Sequence, residues 1–114
     1  MLASENRLKG EENFEKVKNE GELFQSENFA VAFSKRDDNQ KSRFGFIVSK
    51  KISKLSTLRN RIERALAEAI RHRLNEIKEG YNVVFLAKKN IARRTTDEIM
   101  KEVEIFLRSS PITK

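Results

Sequence analysis

The chain has 114 residues, 38% hydrophobic and 36% charged, with a net charge of +7 and no cysteine. That length holds one core and hardly two, and the lack of cysteine excludes disulfide staples and thiolate metal sites. No apolar run approaches the roughly 18 residues needed to cross a bilayer, and residues 1–10 lack the apolar stretch of a signal peptide, so one cytoplasmic domain over residues 1–114 is expected.

Residues 11–19 predict a short helix ending at Gly21. Phe14 and Val17 share a face, and Glu11 and Glu12 sit in the first turn, where the helix dipole favours acids. Leu23-Phe24-Gln25 suggests a short strand. Residues 28–35 alternate, with Phe29, Val31 and Phe33 on one side and Ala30 and Ala32 on the other. Asp37-Asp38-Asn39-Gln40 is turn-like. Residues 42–50 alternate again, with Phe44, Phe46 and Val48 opposite Arg43, Gly45, Ile47 and Ser49. Two such strands across a short loop predict an antiparallel hairpin.

Residues 58–78 predict the longest helix. Leu58, Ile62, Leu66, Ala69, Ile70, Leu74 and Ile77 recur at three and four, which makes one buried stripe. Ser56 or Thr57 is its expected N-cap, and Gly80 its stop. Tyr81 to Ala87 is nearly all apolar and reads as a strand buried on both faces. Residues 95–108 predict a last helix, with Thr95 and Glu98 as a capping box. Helix, strands, helix, strand, helix is an α/β sandwich of helices on a small sheet.

The excess charge is concentrated. Residues 50–73 hold eight basic side chains against two acidic ones, whereas the remaining residues nearly balance. Such a local field points to a polyanion; the competing reading is a solvated helix face. Guanidinium forks match phosphate oxygens. Asn60, between two arginines, offers donor and acceptor together, or else bonds the helix start. Phe14, Phe29 and Phe33 are candidates for stacking on unpaired bases, with a core position as the alternative for each.

No catalytic set emerges. His72 is the only histidine and sits between Arg71 and Arg73. No Ser-His-Asp or Cys-His combination, HExxH, Walker loop or GxGxxG is present. The acidic pairs Glu11-Glu12 and Asp37-Asp38 diverge as sequence neighbours and read as surface, so no metal site is expected.

The segments RLKGEENFEKVKNEG, RFGFIVSKKIS, RNRIERALAEAIRH and YNVVFLAKK, in this order from Arg7 to about Leu107, resemble the bacterial ribonuclease P protein family. The most specific piece is Arg59-Asn60-Arg61 with Arg64, following a strand that ends in Ser49-Lys50-Lys51. It is similar to that family's RNR motif. The resemblance implies an order of helix, three strands, helix, strand, helix. It also implies a left-handed crossover through the RNR helix, where general rules favour a right-handed one. It implies a protein that binds a catalytic RNA and the 5′ leader of precursor tRNA, while the RNA subunit, using Mg2+, cuts the leader. It further implies that no cofactor is held tightly by the protein itself. Lys50, Lys51, Arg59, Asn60, Arg61, Arg64 and Arg71 would face the catalytic RNA, and Phe14 and Phe33 would line the leader cleft.

The chain departs from the family pattern in places. Glu63 stands where a Lys is usual, Ala67 where an Arg is usual, Ser53 at a Gly, and Lys18 where a second aromatic is expected. Glu63 would repel phosphate, and a salt bridge to Arg59 or Lys54 is one role open to it. Two rival functions are another RNA-binding module, such as a ribosome-associated protein, and a small free-standing endoribonuclease using Arg, Lys, Tyr81 or His72.

Overall fold

A computed structural model describes residues 2–36, 38 and 40–114. Asp37 and Asn39 of the predicted turn lie outside the described residues. The main elements are α1 (Glu11–Glu20), β1 (Glu22–Gln25), β2 (Phe29–Lys35), β3 (Arg43–Ile47), α2 (Ser56–His72), β4 (Tyr81–Ala87) and α3 (Thr96–Ser109). The four strands form one sheet in the order β1-β2-β4-β3.

The predicted hairpin between β2 and β3 does not form. β4 lies between them, antiparallel to β2 and parallel to β3. Alternation assigns faces to each strand and leaves its neighbour open. β4 is the strand whose residues are apolar on both faces, so burial on both sides favours it at the centre. Val83, Val84 and Phe85 are all fully buried. β3, with Gly45 and Arg43, takes the edge.

The sheet is covered on both sides. On one face Phe29, Val31, Phe33, Phe44, Val83 and Phe85 pack with Ile62, Leu66 and Ile70 of α2 and Ile99, Val103 and Phe106 of α3. Phe85 sits among Phe29, Phe46 and Phe106, with ring centroids 5.4, 5.6 and 5.9 Å away. On the other face Val17 of α1 and Leu8 pack on Ala32 and Val84, with Phe14, Ile47 and Leu86 beside them.

α1 stops at Gly21, which has φ −82°. The glycine is needed for space: a β-carbon would lie 2.6 Å from the carbonyl oxygens of Val17 and Phe33. The N-cap of α2 is Leu55, and Ser56 and Thr57 already lie inside the helix without a side-chain cap. Ser53 acts one turn earlier, accepting the Leu55 N–H at 3.1 Å. α2 also ends sooner than its apolar stripe suggests, at His72. A short 3-10 turn, Leu74–Glu76, carries the stripe on to the buried Ile77. Gly80, at φ +90°, turns the chain into β4. The Thr95–Glu98 capping box on α3 is present with both of its hydrogen bonds.

Candidate nucleic-acid interface

Ile62, Leu66, Ala69 and Ile70 of α2 face the core. At 100° per residue the opposite arc carries Asn60, Arg64 and Arg71, all exposed. Asn60 and Arg64 are one turn apart, and Glu68 and Arg71 continue the row. Arg59 and Arg61 leave the helix on either flank of that arc. Arg59 Nη1 donates to the Ser53 carbonyl at 2.8 Å, which braces the loop after β3. That loop presents Lys50 and Lys51, both exposed. Arg61 Nη2 donates to the Arg94 carbonyl at 3.0 Å, and Nη1 to Thr96 Oγ1 at 3.3 Å, tying α2 to the start of α3. A guanidinium has five N–H donors, so both arginines keep donors for an anion.

Arg64 has no hydrogen bond or ion pair to a described residue. Arg71 is committed locally: Nε and Nη2 donate to the Glu68 carboxylate at 3.0 and 2.8 Å. Neighbouring cationic groups, the Arg71 guanidinium foremost, hold the Glu68 carboxyl at about 2, below its ordinary 4.5. His72 Nε2 lies 3.4 Å from the same carboxylate, with the imidazole half exposed. Glu63 makes neither of the salt bridges open to it and has no partner among the described residues.

Phe14 and Phe33 are not brought together. Phe33 belongs to the main core, 6% exposed, with its ring 6.4 Å from that of Tyr81. Phe14 is on the opposite face of the sheet, over Gly45. The leader-contact expectation for Phe33 is therefore corrected: its strand parity turns it toward α2 and α3, and Phe29 follows it into the core, fully buried. Phe14 instead joins the basic helix. Because β3 is an edge strand with α1 on one face and α2 on the other, a cleft wraps around its edge. This cavity of about 320 Å3 is lined by Leu8, Phe14, Phe44, Gly45 and Phe46 and by Arg7, Asn60, Glu63 and Arg64. The segment before α1 helps shape it, because the Leu8 N–H donates to the Phe44 carbonyl at 2.9 Å.

Several cationic groups were missed in the sequence reading. Arg7 lines the cleft. Lys89 and Arg93 are exposed on a 3-10 turn, Lys89–Arg93, that packs near α2 beside the Arg61 anchor. The run Lys88-Lys89 followed by Arg93-Arg94 was the available signal. Arg94 itself is engaged with Glu27 at 3.2 Å and Glu98 at 3.7 Å. Among the described residues no group of three or more His, Asp or Glu side chains is arranged to hold a metal ion. Among the described residues no helix is long and apolar enough to cross a membrane.

Comparison with known proteins agrees with this arrangement. Residues 2–110 match the family model for ribonuclease P. The chain is 35% identical over 99 residues to the ribonuclease P protein component of Fusobacterium nucleatum, covering 87% of each chain. It is 33% identical over 106 residues to that of Caldanaerobacter subterraneus, covering 93% of this chain and 90% of the other. Its fold superposes on the ribonuclease P protein of Staphylococcus aureus with a TM-score of 0.88 at 24% identity, over 96% and 98% of the two chains. For that of Thermotoga maritima the TM-score is 0.80 at 26% identity, over 91% and 96%. A four-stranded mixed sheet, three helices and an Arg-Asn-Arg turn at the head of α2 thus stand in a chain that belongs to the ribonuclease P protein family.

Proposed function

We propose that this protein is the RNA-binding subunit of a ribonuclease P, which docks on the catalytic RNA and holds the 5′ leader of precursor tRNA. The observation that carries the proposal is the arrangement of α2. Its solvent arc presents Asn60 and Arg64, the latter with no ion pair among the described residues, flanked by Arg59 and Arg61, and Lys50 and Lys51 extend the cationic surface beyond the braced loop. Family membership supports an RNA partner.

Docking is chiefly electrostatic. Where RNA strands converge their phosphates repel, and cations fixed by a folded scaffold relieve that repulsion without reorganising. The bonds from Arg59 and Arg61 to carbonyls pre-set both side chains, which lowers the rotamer entropy lost on binding. Arg71, drawn toward Glu68, contributes at the edge of the surface.

The cleft at the β3 edge continues from this surface to Phe14. An extended single strand placed there meets an aromatic ring and an apolar floor, with guanidinium groups at the rim. Holding the leader adds substrate affinity and places the scissile bond on the RNA partner. Hydrolysis belongs to that RNA with its magnesium ions. On this chain His72 and Tyr81 stand outside the cleft, one paired with Glu68 and the other packed on Phe33. The setting is the cytoplasm, where precursor tRNA is made.

Filter binding to ribonuclease P RNA across a salt series tests the docking surface. The slope of log affinity against log salt should be about −0.7 to −0.9 per phosphate neutralised. Replacing Arg59 and Arg61 by Ala should weaken binding and flatten the slope by about 1 to 2. An unchanged slope would contradict the assignment of these arginines.

A further inference from the structure

The cleft around β3 contains a group that phosphate docking leaves without a role. Glu63 is exposed on α2 and lines the cavity with Arg7, Asn60 and Arg64, yet it has no ion pair or hydrogen bond among the described residues. A carboxylate next to a phosphate is repulsive, so this position does not suit the backbone of the bound strand. Its oxygens only accept hydrogen bonds, which calls for an occupant that donates. The floor beneath it is apolar, formed by Phe14, Phe44 and Phe46. An apolar floor, guanidinium groups at the mouth and one acceptor-only side chain fit an unstacked nucleotide, with the base inside and its phosphates on the guanidinium groups.

We infer that the cleft takes one unpaired nucleobase of the bound RNA, and that Glu63 selects it through its Watson–Crick edge, with guanine preferred. Guanine presents N1–H and N2–H side by side, which match the two oxygens of one carboxylate. Adenine and cytosine each present a single exocyclic amine there. Uracil presents N3–H between two carbonyl oxygens that the carboxylate opposes. The Asn60 amide, one turn before Glu63, is placed to donate to guanine O6. This inference rests on the proposed function for the presence of single-stranded RNA at the site.

The test uses fluorescein-labelled RNA pentamers UUNUU, with each base at N, and fluorescence anisotropy on the full chain. The guanine pentamer should bind about tenfold more tightly than the uracil one, with adenine and cytosine between. Glu63→Ala, at an exposed helix position where Ala is well tolerated, should bring all four within about twofold. It should also raise mean affinity, because a negative charge is removed from the cleft that a polyanion enters. Equal binding by the wild type, or a ranking that survives in Glu63→Ala, overturns the inference. A ranking seen only with magnesium also overturns it, since the carboxylate would then hold a cation. The same preparations are assayed for stimulation of ribonuclease P RNA. Stimulation with a flat ranking overturns this inference alone, whereas no stimulation by the wild type overturns the proposed function.

Discussion

The Phe14 ring lies over Gly45, in the space that a β-carbon at that residue would fill. One contact thus joins α1 to the edge strand and sets the depth of the cleft. Replacing Gly45 by Ala should push the ring outward. Denaturant unfolding should show a loss of about 1–3 kcal/mol. Leader affinity should fall more than affinity for the catalytic RNA, because the α2 arc is untouched. Adding Phe14→Ala should recover part of the Gly45→Ala loss, so that the pair is non-additive. Strict additivity would place the conflict elsewhere.

Glu102 of α3 fastens the turn between β1 and β2. Its carboxylate accepts Ser26 Oγ–H at 2.5 Å, the Asn28 N–H at 2.9 Å and Asn28 Nδ2–H at 2.6 Å. Asn28 is buried, so truncating Glu102 to Ala leaves its donors without their acceptor. Thermal or denaturant unfolding should report about 1–3 kcal/mol of lost stability. Lys88 and Arg94 also bond to this turn, so RNA affinity should drop modestly in the same variant.

Glu68 predicts a pH dependence. Neighbouring cationic groups, Arg71 foremost, hold its carboxyl at about 2 in the folded protein, against an ordinary value of 4.5. A carboxyl depressed by folding stabilises the native state above its unfolded value, and that contribution fades as pH falls through the folded one. The melting-temperature gap between wild type and Glu68→Gln should therefore be largest above about pH 5 and close toward pH 2. High salt should narrow it at every pH, since the pair is solvent-facing. A gap that widens on acidification would contradict the pairing.

Much of the fold was legible because its causes are local. The Thr95–Glu98 box is written in four residues. The stripe from Leu58 to Ile77 marked the buried side of α2, and the nearly all-apolar run Tyr81 to Ala87 announced a strand with two covered faces. Strand order was not legible: the alternation in β2 and β3 shows which side chains share a face, and only β4, which follows α2 in the chain, decides that the two strands are separated. The same limit explains Phe33. Its parity with Phe29 and Val31 was plain, but whether that side met α1 or the pair α2 and α3 depended on packing from distant segments. At the interface the basic arc followed from helical spacing. The carbonyls of Ser53 and Arg94 that brace Arg59 and Arg61 did not, because they arrive from loops without periodicity. Gly45 was a signal left unused: a glycine inside a strand marks close approach, and here the approaching group is Phe14.

Multiple-turnover cleavage of precursor tRNA by ribonuclease P RNA at low magnesium tests the central claim most directly. Adding this protein should raise the rate severalfold, Arg59→Ala with Arg61→Ala should lose most of that gain, and the protein alone should leave the substrate intact. Cleavage by the protein without the RNA, or an RNA rate indifferent to its addition, would contradict the account.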